Sequence, residues 1–253
     1  MYHGNMHPIL LQFGSFVIPA WHVCFALAGI TSYFFLQKFR SKMGLEFSQV
    51  KKLFLICYVA GYFGARALSI LVEQPHLHHF QGVMFGLFQI GPMTFYGGFI
   101  LAAISGFLYL LFIKKSWLSV ADIVVVACFL ALGIGRVGCF LNGDDFGKPV
   151  LSGDPFWGVS FPVLKDGING VIRYPVQIME TAYVWCFVGV FLWLLQNLKA
   201  GLVCFLAFIY YGFGRFFLEY LRGDDRGWVI SQSLSTSQFI LSLIHISEPT
   251  RPY

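Results

Sequence analysis

The chain is 253 residues long, 57% hydrophobic and 19% aromatic, and only 11% of it is charged, less than half of the roughly 25% carried by a soluble domain. That balance excludes an ordinary soluble protein. The net charge of +5 arises from basic residues in short loops, not from the continuous basic face that nucleic acid would require.

A hydrocarbon core about 30 Å thick takes about 20 mostly apolar residues per helix. Runs of that kind fall at 9–36, 53–72, 93–113, 120–141, 176–196 and 201–221. The expected fold is therefore all-α, a polytopic transmembrane helix bundle with six complete spans. Lys38, Arg40, Lys42, Lys51 and Lys52 follow the first span, Lys114 and Lys115 the third, and Lys199 the fifth. By the positive-inside rule these loops are expected to be cytoplasmic and the N-terminus outside. The loop at 73–92 holds His76, His78 and His79 but no Lys or Arg, and 142–175 is long and mixed in charge. No carboxylate or cysteine accompanies those histidines at ligand spacing, so a solvated loop is expected and no metal. No basic segment precedes an apolar stretch and a small-residue cleavage site, so no cleavable signal is expected. After Gln238 the run FILSLIHI gives way to SEPTRPY. About eight apolar residues cannot cross a bilayer, so a transmembrane domain over 1–240 is expected, with a truncated seventh helix and a non-native tail over 241–253. The six cysteines, Cys24, Cys57, Cys128, Cys139, Cys186 and Cys204, lie in apolar segments without C-x-x-C pairing, and five of them read as small buried hydrophobes.

Arg66, Arg136 and Arg215 lie in the second, fourth and sixth spans, each roughly 14 to 16 residues beyond the inner start, or about 20 to 24 Å up. An arginine in the outer half of a membrane costs about 2.5–3.5 kcal/mol and normally faces a partner or a wet cavity. Glycines stand beside each of them, Gly64, Gly133 with Gly135, and Gly212 with Gly214, as suits close helix packing. Polar residues gather at similar depth. Glu219 follows Arg215 by one helical turn, Gln177 and Glu180 open the fifth span on one face, and Asn142, Asp144 and Asp145 follow Arg136 beside Gly143 and Gly147. Pairing of Glu219 with Arg215 and a direct chemical role for Glu219 are both compatible with this spacing. Guanidinium matches phosphate bidentately, so a phospholipid headgroup held within the bundle is the simplest ligand.

The run GRVGCFLNGDDFG at 135–147 resembles the signature G-R-x-G-N-F-x-N-x-E-x-x-G of the prolipoprotein diacylglyceryl transferase family. HPILLQFG near the start, GAR at 64–66, GPMTFYGGFI at 91–100, RYPVQIMET at 173–181 and YGFGRFFLEYLR at 211–222 extend the likeness over residues 7–240. The resemblance implies a seven-helix enzyme of the bacterial inner membrane with an external N-terminus and an active site opening toward the outer leaflet. It implies transfer of the diacylglyceryl group of phosphatidylglycerol to the lipobox cysteine thiol of a prelipoprotein, releasing glycerol phosphate, with no cofactor. Arg136 and Arg215 would bind the phosphate and stabilise the leaving group. Asn142, Asp144 and Gly147 would shape the rest of the pocket, Glu219 would orient Arg215, and Arg66 would be a second-rank site residue; Cys139, Gln177 and Glu180 are further expected to contact substrate, and Tyr96 to take part in catalysis.

Three departures from the family pattern bear on the chemistry. Tyr96-Gly97-Gly98-Phe99 stands where the family has H-G-G-L, and a phenol of pKa about 10 is a poor base at neutral pH. Cys139 replaces the signature asparagine, and Asp144 is one methylene shorter than the glutamate. The tyrosine of the first helix falls on Trp21, and the adjacent His22 becomes a candidate base. A substrate thiol whose own pKa is lowered by the arginines would need no base. Two other functions compete: a phospholipid or anion carrier using the same arginines, and a catalytically weakened relative that only binds lipid. A carrier would show an inverted repeat with sites at the midplane, whereas the G-x-G-R echo at 133–136 and 212–215 lies off centre in spans of one direction.

Overall fold

The computed structural model of the chain describes residues 9–13, 16–73, 80–88, 94–151, 158–160, 171–223, 228–230 and 234–235. In chain order the elements are β1 (Ile9–Phe13), β2 (Phe16–Pro19), α1 (Ala20–Lys38), α2 (Phe47–Glu73), α3 (Phe80–Phe88), α4 (Phe95–Phe112), α5 (Trp117–Asn142), β3 (Val159–Ser160), β4 (Ile172–Arg173), α6 (Val176–Cys186), α7 (Val188–Asn197), α8 (Leu202–Leu221), β5 (Trp228–Ile230) and β6 (Leu234–Ser235). Among the described residues, six helical stretches are long and apolar enough to cross a membrane: Ala20–Lys38, Phe47–Val72, Phe95–Phe112, Trp117–Asn142, Val176–Asn197 and Leu202–Leu221. The expected helical bundle class is thus met. Phe34, Phe112 and Phe213 project outward from these helices, as hydrocarbon-facing side chains do.

Four expectations about the elements need correction. The first span does not begin at 9, because Ile9–Phe13 and Phe16–Pro19 form an antiparallel ribbon with Phe13 opposite Phe16. Pro19, whose φ is fixed and which lacks an N–H, precedes the first helical residue. The expected loop over 73–92 contains α3, and His76, His78 and His79 lie outside the described residues, as does the expected truncated helix at 241–253. The fifth span is not one helix. It breaks at Phe187, which ends α6 and starts α7. The second span also begins earlier than the apolar run, at Phe47, so Lys51 and Lys52 lie within α2.

The chain divides into two compact units, residues 33–123 and residues 1–32 with 124–253. In the first unit, α2 packs on α4 through glycine. A Cβ on Gly64 would collide with the carbonyl of Gly97, and the reverse substitution fails in the same way; a Cβ on Gly98 would stand 2.9 Å from Gly61 O. Thr94 N donates to Ala65 O at 3.1 Å and fixes the entry to α4.

In the second unit α6 lies against α5 and α8. Thr181 Oγ1 donates to Gly133 O at 3.1 Å, and the Trp185 indole fills the space beside Gly133. Toward α8, Tyr183 and Tyr210 stack with centroids 4.1 Å apart and planes at 8°, and each hydroxyl donates to the other's main-chain carbonyl. The Tyr183 ring occupies the position that a Cβ on Gly214 would take. Of the glycines expected beside the arginines, Gly64, Gly133 and Gly214 serve close packing. Gly135 does not, since a Cβ there would meet nothing within 4 Å.

Candidate active site

Where α5 ends, the chain turns sharply. Gly143 has φ 74° and Asp145 φ 60°, a left-handed conformation that glycine adopts freely and aspartate tolerates. The turn is pinned by Gly143 N to Phe140 O at 3.2 Å and Asp144 N to Cys139 O at 3.0 Å, which satisfy the last carbonyls of the helix. The Asn142 amide donates to the Asp144 carboxylate. Asp145 is aimed back toward the helix it follows.

Residues 146–150 then run between two other segments. Gly147 N donates to Tyr174 O at 3.1 Å, Tyr174 N to Lys148 O at 3.1 Å and Val150 N to Ile172 O at 2.9 Å on one side; Lys148 N donates to Leu221 O at 2.8 Å and Gly223 N to Phe146 O at 3.0 Å on the other. The end of the signature run is therefore clamped between the entrance to α6 and the exit of α8. Gly147 has no room for a side chain, because its Cβ would stand 2.8 Å from Tyr174 Cβ and 2.9 Å from Val176 Cγ2. The buried Arg173 guanidinium lies 4.5 Å over the Phe146 ring and donates to Gly147 O at 3.4 Å.

This clamp sets up an alternating chain of charges. Arg222 Nη2 lies 2.9 Å from Asp145 Oδ1, and Asp145 Oδ2 lies 2.6 Å from Arg136 Nη1. Arg136 Nε is 2.9 Å from Glu180 Oε2, the same oxygen stands 3.8 Å from Arg215 Nη1, and Arg215 Nη2 is 2.6 Å from Glu219 Oε2. Glu180 is 1% exposed, and its other oxygen accepts from Tyr211 OH at 2.9 Å. Three guanidiniums thus alternate with three carboxylates. Burying such charges is tolerable only while each keeps its partners.

Arg136, Arg215, Asn142, Asp144, Gly147, Gln177, Glu180 and Glu219 are accordingly assembled in one unit, and the half-buried Cys139 lies one turn beyond Arg136. The arginines do not form the bare cationic fork that the sequence suggests, since protein carboxylates already hold them. His22 is in the same unit but is exposed on α1, its ring edge-on to Trp21 with centroids 5.3 Å apart. Arg66 and Tyr96 belong to the 33–123 unit. There Arg66, 1% exposed, grips Gly86 O through Nε at 3.2 Å and Nη2 at 2.6 Å, near the C-terminus of α3 where a cation is favoured. Tyr96 is exposed on α4 beside Phe95. Sequence reasoning missed Arg173, Arg222 and Tyr211. Tyr211 could have been found, because it precedes Arg215 by one turn; Arg173 and Arg222 look like ordinary loop charges until the clamp is seen.

The sequence has counterparts among known proteins. Residues 8–247 match the family model described as prolipoprotein diacylglyceryl transferase. A Clostridium tetani protein named phosphatidylglycerol–prolipoprotein diacylglyceryl transferase is 32% identical over 238 residues, covering 93% of this chain and 92% of the relative. Proteins of the same name from Nitrosomonas europaea and Staphylococcus aureus are 28% and 26% identical, covering 93% and 95% of this chain and 84% and 86% of their own length.

Proposed function

The chain belongs to the prolipoprotein diacylglyceryl transferase family, and on that footing we propose how its own residues carry out lipoprotein lipidation. The substrates are phosphatidylglycerol and the lipobox cysteine of a prelipoprotein. Sulfur attacks the glycerol carbon that bears the phosphate, an S–C bond forms, the C–O bond breaks, and glycerol phosphate departs while the thiol proton passes to a base. The observation that carries this reading is the meeting of Arg136 and Arg215, from two helices, on the single buried oxygen Glu180 Oε2. A phosphodiester entering there competes with Glu180 for both guanidiniums, and negative charge developing on the leaving group strengthens its hold on them. Glu219 keeps Arg215 in place, while Asn142, Asp144 and Gly147 shape the turn that delivers Asp145 to Arg136. His22 is assigned to the thiol proton.

The protein resides in the bacterial inner membrane with its N-terminus outside and its site open to the outer leaflet, a reading supported by the lysines at 38, 42, 51, 52, 114, 115 and 199. The test is complementation. Cells depleted of their own transferase should regain thioether-linked lipoprotein when this chain is supplied, and lose it again with Arg136→Ala. Membrane insertion without lipoprotein modification would instead favour a lipid-binding relative weakened by Tyr96 and Cys139.

A further inference from the structure

Gln177 occupies the first turn of α6 and is 1% exposed. Its Nε2 donates to Asp144 O at 2.6 Å. That bond fixes the amide's orientation, because a carbonyl accepts only from N–H and a flipped amide would set two oxygens face to face. The other end, Oε1, is buried, and among the described residues no donor reaches it. Native proteins satisfy nearly all such atoms, and leaving one unmet is costly.

What surrounds this acceptor suggests its partner. Glu180, three residues along the same face and about 4.5 Å along the axis, holds Arg136 and Arg215. A phosphodiester bound to those arginines would carry its headgroup past Gln177. We propose that Gln177 Oε1 selects the headgroup, accepting a hydrogen bond from a hydroxyl of a polyol phospholipid; this rests on the reading of Arg136 and Arg215 as the phosphate holders. A trimethylammonium headgroup has no N–H to give, and an alkyl ester offers no donor.

The test compares phosphatidylglycerol with phosphatidylethanol, which keeps the phosphodiester and lacks the hydroxyls. With the full-length chain and a lipobox peptide, the wild type should prefer phosphatidylglycerol by about 10- to 100-fold in kcat/KM. Gln177→Leu, or the closer isostere Gln177→Met, should bring the two lipids to within about threefold of each other. A role in packing alone would lower both lipids by one factor and leave the preference intact, which overturns the proposal. So does a wild type that uses both lipids equally, whether or not the variants fold. Native mass spectrometry of the same lipid pair gives the preference without chemistry. If no lipid supports transfer, the transferase reading fails, and the binding ratio of wild type against variant still decides the role of Gln177.

Discussion

Arg222 Nη2 donates to Asp145 Oδ1 at 2.9 Å across 77 positions of sequence, and the contact ties the signature turn to the far end of α8. Because Asp145 also holds Arg136, Asp145→Ala deprives two guanidiniums at once. Removing one member of a part-buried charged pair costs about 1–3 kcal/mol. Arg222→Ala and Asp145→Ala should each destabilise by that order in denaturant unfolding in detergent, and the double variant by clearly less than their sum. Additive losses would mean that the contact contributes nothing.

Arg136→Lys and Arg215→Lys keep the charge but lose the planar fork. Each should reduce kcat for peptide lipidation by about 10²- to 10³-fold. Near-normal turnover in either variant would remove that arginine from the chemistry.

Glu180→Gln leaves Arg136 and Arg215 without their shared anion. The variant should melt at lower temperature than the wild type, and phosphatidylglycerol, by supplying a replacement anion, should raise its Tm more than it raises that of the wild type. A neutral diacylglycerol is the control and should not discriminate between them.

Gly214 and Gly135 predict opposite outcomes for the same substitution. Gly214→Ala drives a methyl into the Tyr183 ring and should cost about 1–3 kcal/mol, relieved in part by Tyr183→Leu. Gly135→Ala meets nothing within 4 Å and should be neutral or stabilising by up to about 1 kcal/mol through helix propensity. Thermal unfolding of the three variants checks both.

His22→Ala removes the assigned proton acceptor. Transfer at pH 7 should fall by about 10²-fold, and the deficit should shrink as pH rises toward the thiol pKa of about 8.5, where the substrate ionises unaided. Lipidation unchanged at pH 7 would end that assignment.

Run length alone located the spans over 95–112, 117–142 and 202–221 to within a few residues, because desolvated backbone leaves a long apolar stretch no alternative to helix. The ribbon at 9–19 was not legible by that means, since a strand pair and a helix can draw on the same apolar letters, and Pro19 was the available sign. Pairing of Arg215 with Glu219 followed from their spacing of one turn. The partners of Arg136 did not, because Asp145 reaches it through a left-handed turn and Glu180 through packing of α6, neither of which has a local signature. Arg222 and Arg173 were hidden for a related reason: their partners lie on the signature run, far away in sequence.

If Arg136 and Arg215 hold the phosphate as proposed, the even alternation of charge from Arg222 to Glu219 would bear on turnover. With no lipid bound the site is its own counter-ion, so a small soluble phosphate would have to evict Glu180 without help, whereas a lipid anchored in the bilayer would arrive at high local concentration. Once the acyl chains left on the peptide, the freed headgroup would lose that advantage and Glu180 would reclaim both guanidiniums, keeping product inhibition weak.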